Sequence, residues 1–185
     1  APLVAVLQRP RLLSHRLCVG GLDGRRIAVL RCGVGPQRAE GRTRRALQKV
    51  APAEVWTVGS CGALSDMLAV GDLVTADEVV FKERRYRLRP VPGLTCGRLL
   101  TVDAPIFSPD KRREVAPIGA IACEMEAAGV AACHPDLRVL KVVSDRAGAE
   151  PDVVIDGVRA VAMARFHVRV ERLVRTRLLP VLRGT

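Results

Sequence analysis

A chain of 185 residues is long enough for one domain with a two-sided core and short for two, so residues 1–185 are read as a single domain. Hydrophobic residues make up 49% of it but aromatics only 3%. This excludes a core built on large rings and leaves Val, Leu, Ile and Ala, which suit a parallel sheet covered by helices. The formal charge of +11 is carried almost wholly by arginine, dispersed along the chain with few aromatics between. That pattern fits a solvated basic surface better than a nucleic-acid reader, which needs rings for stacking on bases.

The elements follow in chain order. The opening run Leu3 to Leu7 reads as a first strand; Gln8-Arg9-Pro10 follows too soon for a signal peptide. Strand-length apolar runs recur at Ile27 to Leu30, Val55 to Val58, Leu73 to Thr75, Ile118 to Ala122 and Val139 to Val143. Helices are predicted over Pro36 to Lys49, where proline suits the first turn, and over the Ala-rich Met125 to Cys133. A closing amphipathic helix runs from about Gly157 to Leu179, with Val158, Ala162, Phe166, Val170, Leu173 and Val174 on one stripe and arginines elsewhere. Strands and helices alternate, with a strand-rich stretch near residues 70 to 102. The fold class is α/β, a three-layer sandwich around a mixed central sheet.

The six cysteines form no C-x-x-C pair and several lie in apolar segments, as reduced thiols do; a cytoplasmic setting is the expectation. His15, His134 and His167 lack ligand spacing, so neither a metal nor a cofactor is expected. No apolar run approaches the ~20 residues that span a bilayer, which excludes a membrane helix.

Ligands of open α/β sheets gather beyond the carboxyl ends of strands. Three places qualify. Cys32-Gly33-Val34-Gly35-Pro36 separates a strand from a helix with two glycines, letting backbone N–H groups approach an anion or a sugar hydroxyl; a tight structural turn explains it equally well. Val58-Gly59-Ser60-Cys61-Gly62-Ala63 offers space at Gly59 and a hydroxyl at Ser60, or simply a packed turn. Glu124-Met125-Glu126-Ala127-Ala128 opens a helix, and Ser144-Asp145 ends the most apolar strand; their bland reading is helix capping.

Together, Gly33-Val34-Gly35, Thr57-Val58-Gly59-Ser60-Cys61-Gly62-Ala63-Leu64, Val70-Gly71-Asp72-Leu73-Val74, Glu124-Met125-Glu126-Ala127-Ala128 and Val142-Val143-Ser144-Asp145 resemble, in order and spacing, the purine nucleoside phosphorylase and methylthioadenosine/S-adenosylhomocysteine nucleosidase superfamily. The resemblance covers roughly residues 27 to 148. It implies that Glu126 accepts hydrogen bonds from the ribose hydroxyls, with Glu124 beside it, and that Met125 packs beneath the sugar. Asp145 would pass a proton to N7 of the base, Ser144 would hold its loop, and Ser60 with Gly33 would line the side of nucleophilic attack. The chemistry is coherent in itself: breaking an N-ribosidic bond builds positive charge on the sugar and negative charge on the base, so a carboxylate near one and a proton donor near the other oppose both.

Three departures bear on the nucleophile. Hydrolytic members carry a glutamate just after the first strand, where this chain has Leu7-Gln8-Arg9-Pro10-Arg11. Phosphorolytic members have an arginine three residues before the serine of the Gly-Ser-Cys-Gly turn, where this chain has Thr57. The family's arginine three residues before the serine of Ser-Asp is Lys141, which keeps charge without the forked donor geometry. The expectation is cleavage of a purine nucleoside or a 5′-modified derivative, by water rather than phosphate. Arg9, Arg11 and Arg38 are the residues from which an anion site could be rebuilt. The alternatives are a phosphorylase, a weakened nucleoside-binding relative and, distantly, a basic nucleic-acid-binding protein. Little sequence lies between Phe81 and Leu100, so the resemblance implies a pocket completed by a second subunit, in a homodimer or larger assembly.

Overall fold

In the computed structural model, which describes residues 3–148, 168, 172 and 174–184, the β-branched runs become two sheets. The first is a meander of β1 (Gln8–Ser14), β2 (Leu17–Leu22) and β3 (Arg25–Leu30), all antiparallel. After helix α1 (Pro36–Leu47), the second sheet takes up β4 (Val55–Ala63), β5 (Leu73–Phe81), β6 (Arg84–Arg87), β7 (Thr95–Thr101), β8 (Ala122–Glu124) and β9 (Leu137–Arg146). Helices α2 (Pro109–Val115) and α3 (Ala127–Ala131) interrupt them, and α4 (Leu179–Gly184) ends the described chain.

The second sheet is mixed, in the order β6-β5-β7-β8-β4-β9, and β9 also pairs with β5, so the five strands from β5 to β9 close on themselves. Val70-Gly71-Asp72 makes that closure. Gly71 N–H donates to the Val143 carbonyl at 2.8 Å and Val143 N–H to the Asp72 carbonyl at 2.9 Å, while the Asp72 carboxylate accepts from Ala69 N–H at 2.8 Å. Gly71 has a φ of 99°, a conformation that side-chain-bearing residues rarely adopt.

Along β9 the faces alternate as a strand requires. Val139 and Val143 join the main core with Cys61, Ala63, Val79 and Leu99 and with α1 and α3; Leu140 and Val142 face Val174 and Leu178 near the C-terminus. Helix on sheet on helix is the layering expected. Among the described residues no helix is long and apolar enough to cross a membrane.

Several elements differ from the sequence reading. Leu3 to Leu7 is no strand: Val4–Val6 forms a 3-10 turn and Leu7 packs on Gly20 of β2, whose edge is taken by Gln8–Ser14. The predicted strand at Ile118 to Ala122 is shortened to its end, because Pro117 sits in a 3-10 turn and Gly119 turns left-handed before Ala122 begins β8. Gly59 to Ala63, expected as a turn, continues β4 in register with β8 and β9. The helix expected over Met125 to Cys133 is Ala127–Ala131. Most of the closing helix read from Gly157 to Leu179 lies outside the described residues.

Helices α1 and α3 meet where Gly129 faces the backbone of α1: a Cβ there would lie 2.0 Å from the Pro36 carbonyl oxygen and 2.9 Å from Glu40 N. Backbone cannot swing aside as a side-chain tip can. Gly129→Ala is expected to cost about 1–3 kcal/mol as an overpacking substitution, read as a fall of several degrees in thermal unfolding; an unchanged melting temperature would mean that the two helices can part freely.

Candidate active site

Strand β8 ends at Glu124, whose side chain is almost wholly excluded from solvent. Its carboxylate is met on every side by donors. Lys141 Nζ lies 2.9 Å away, Thr101 Oγ1 2.6 Å, and the N–H groups of Glu126 and Ala127, at the start of α3, 2.9 to 3.0 Å. Thr101 Oγ1 in turn accepts from Ala128 N–H at 3.1 Å. Burial alone would raise the Glu124 carboxyl, but Lys141 and these hydrogen bonds outweigh it and hold the group below the usual carboxylate range.

Lys141 is equally buried, at 2% exposure. Gly59, its register partner on β4, makes room for it: a Cβ there would stand 3.7 Å from Nζ. Burial works against its charge, yet Glu124 and Glu126 more than compensate and keep Lys141 protonated. Both groups, expected to touch substrate, are therefore spent on each other. Their joint effect is to fix the turn Glu124-Met125-Glu126, in which Met125 is half-buried.

Glu126 is the carboxylate left over. It retains 20% side-chain exposure, lies 3.9 Å from Lys141 Nζ, and receives the backbone N–H of Gly35 from the loop before α1. Burial, together with neighbouring Glu124, pushes its carboxyl above the usual range against the pull of Lys141. Cys32 lies within electrostatic reach of Glu126 and Lys141, and burial raises its thiol so that it stays neutral. At the head of the same loop Gly33 adopts a φ of 78°, with the Arg42 guanidinium folded over its α-carbon.

Asp145 stands four residues beyond Lys141 on β9, about 13 Å along a regular strand, past an irregularity where Gly62 pairs with Asp145 rather than with Ser144. Ser144 Oγ lies 2.5 Å from Asp145 Oδ1 and 3.1 Å from the Cys61 carbonyl, and so ties the aspartate to β4. Gly62 is required here, since a Cβ would fall 2.8 Å from Ala147 Cβ and 3.1 Å from Asp145 Oδ2. Cys61 feels the charges of both Lys141 and Asp145, which places it between the two acidic centres.

The structure thus gathers Glu124, Glu126, Lys141 and Gly59 at one centre and Asp145 with Ser144 at a second. Ser60 is set apart: it pairs with Val142 and shares the face of Val58, which packs toward the C-terminal segment. Strand alternation turns its side chain to the face opposite that of Gly59, whose register partner is Lys141. Two residues escaped the sequence reading. Thr101 is a single hydroxyl on a distant strand. Arg112 of α2 donates to the carbonyls of Ala63, Leu64 and Ala147 at 2.6 to 2.9 Å and clamps the strand ends around Asp145. Ser108-Pro109, which caps α2 through a 3.3 Å bond to Lys111 N–H, was the available signal for that helix.

Residues 5–93 match the model of the phosphorylase superfamily. A 5′-methylthioadenosine/S-adenosylhomocysteine nucleosidase of Shewanella loihica is 28% identical over 80% of this chain and 81% of its own length. One from Anoxybacillus flavithermus is 28% identical over 72% and 74%. Among solved structures, the nucleosidase of that name from S. pneumoniae superposes with a TM-score of 0.80 at 19% identity, covering 98% of this chain and 92% of that one. The Neisseria meningitidis enzyme gives 0.73 at 22%, covering 94% and 93%. The matched stretch, the shared fold and the order of the motifs make this chain similar to proteins of the phosphorylase superfamily.

Proposed function

We propose that this chain cleaves the N-ribosidic bond of a purine nucleoside or a 5′-modified derivative, with water as the nucleophile. The observation that carries the reading is the division of labour between two carboxylates in one turn. Glu124 is consumed by Lys141, Thr101 and two backbone N–H groups, while Glu126, fixed by that anchor, keeps an exposed side beside the Gly33–Gly35 loop. A carboxylate so placed accepts from ribose hydroxyls and offsets positive charge growing on the sugar. Asp145, tied to β4 by Ser144, supplies the proton to the departing base. Met125, between the two glutamates, lies beneath the sugar. The names of the relatives favour 5′-modified adenosines as substrates.

Water is preferred because a dianionic phosphate needs fixed cations where it attacks, and at the two positions where the family resemblance puts arginine, Thr57 is neutral and buried and Lys141 is already paired. With no acid in β1, Glu126 is the group left to orient the water. We read the chain as one domain acting in a homodimer or larger assembly: Val34 of the glycine loop is 59% exposed and Met67, beyond β4, 91%, apolar surface that a second subunit would cover. The six free thiols fit a reducing, cytoplasmic compartment.

Asp145→Asn should lower base release from a purine nucleoside by about 10²- to 10⁴-fold, the usual worth of a general acid, without loss of fold; full activity in the folded variant removes the assignment. Glu126→Gln should impair ribosides far more than 2′,3′-dideoxy analogues, because the acceptor matters only where hydroxyls donate. Equal impairment of both would make Glu126 structural. The reaction itself is tested in phosphate-free buffer with the sugar product identified by mass: free ribose, at a rate indifferent to added phosphate, is expected, and strict phosphate dependence with a sugar 1-phosphate product reverses the choice of nucleophile.

A further inference from the structure

Arg38, Arg42 and Arg45 stand at offsets of four and seven on α1, and so share one face of the helix. The face turned to the core is a different one, formed by Pro36, Ala39, Thr43 and Ala46. Arg16, in the turn between β1 and β2, lies opposite, and Arg16, Arg38 and Arg45 all act electrostatically on Arg42. Among the described residues none of the four forms an ion pair with a carboxylate. Elsewhere on this surface arginines do find acids, as Arg44 with Glu40, Arg85 with Glu78 and Arg113 with Asp110. Four uncompensated guanidinium groups in one place repel one another, and burial followed by Arg16 and Arg38 pushes the Arg42 group below its ordinary value.

Arg42 is also held as a surface arginine is not. Nη1 donates to the Cys32 carbonyl at 2.7 Å and occupies the space over Gly33 that a side chain would fill, 1.9 Å from the position of a Cβ. This fixes the guanidinium plane at the head of the loop whose Gly35 N–H reaches Glu126. The donors on Nε and Nη2 carry no hydrogen bond among the described residues. A rigid fork with free donors, ringed by further cations, matches a tetrahedral oxyanion in charge and shape.

We propose that Arg42, with Arg16, Arg38 and Arg45, binds a phosphate group at the head of the Gly33–Gly35 loop, supplied as inorganic phosphate or as the 5′-phosphate of a nucleotide. The charge cluster stands by itself; only its service to a nucleoside rests on the proposed function. None of the arginines singled out for an anion site from sequence suffices alone. Arg9 and Arg11 lie exposed on β1, and Arg38 contributes only beside Arg42.

Titration calorimetry on the full chain tests this with inorganic phosphate, adenosine and adenosine 5′-monophosphate, for the unaltered protein, Arg42→Gln, Arg38→Gln and a charge-matched control, Arg84→Gln, on β6. Circular dichroism checks each fold. Phosphate should bind the unaltered protein and the control alike and at least about tenfold more weakly to both α1 variants, as loss of a charge-assisted donor implies. The nucleotide binding about tenfold more tightly than adenosine, an advantage lost in Arg42→Gln, assigns the site to a substrate phosphate; phosphate and adenosine binding together assigns it to free phosphate. Equal binding by all forms, no binding by the unaltered protein, or steeply salt-dependent binding of a single-stranded oligonucleotide alone overturns the proposal. Phosphate binding that depends on Arg42 in a protein that cleaves no nucleoside would keep the site and discard the catalytic reading.

Discussion

A carboxylate cut off from water must recover its solvation from the protein, or it costs several kcal/mol. Glu124 meets that requirement with donors from three directions: Thr101 on β7, Lys141 on β9 and the N–H groups that open α3. The strands and the helix are thereby fastened at one point, and the fastening decides which neighbouring groups remain available for chemistry. Lys141 cannot serve an external anion while it answers Glu124. Glu126, two residues on, is oriented by the bond its own N–H makes to the anchor. The compact ammonium of lysine suits this use, since it fits above Gly59 without needing the planar space of a guanidinium.

How much of this was legible in sequence depended on whether a feature was local. Glu-Met-Glu-Ala-Ala and Ser-Asp announced both acidic centres, because each couples an unusual composition to a strand end. The direction of a side chain was harder to read. Ser60 sits in a small-residue run resembling a turn, but β4 carries on through it, and alternation sends the hydroxyl to the far face. Partners remote in sequence, such as Thr101 for Glu124 and Arg112 for the carbonyls at Ala63 and Ala147, leave no periodic trace. The opening strand differs for another reason: an apolar run is necessary for a buried strand but not sufficient, and here Gln8–Ser14 takes the edge of β2 while Val4–Val6 closes into a 3-10 turn.

The Val70-Gly71-Asp72 motif shows how a weak sequence signal acquires a structural meaning. Its glycine and aspartate supply the two backbone bonds by which Val143 joins the ring of strands, and Arg177 Nε donates to the Gly71 carbonyl at 3.1 Å from the C-terminal segment. Val143 is one residue before Ser144 and two before Asp145. The closure of the sheet and the placement of Asp145 are therefore the same event, and Arg112 secures it from the opposite end.

Ring closure has a consequence for the basic character of the whole chain. Each strand of the ring pairs with at least two others, whereas among the described strands β6 and the outer strands of the meander, β1 and β3, have a single strand neighbour each. All three carry arginines: Arg84, Arg85 and Arg87 on β6, Arg9 and Arg11 around Pro10 on β1, Arg25 and Arg26 on β3. Charge and proline on an exposed edge discourage a second chain from adding a strand there. Part of the net charge of +11 thus sits where it would work as insulation between the sheets of neighbouring molecules in a protein rich in valine and leucine.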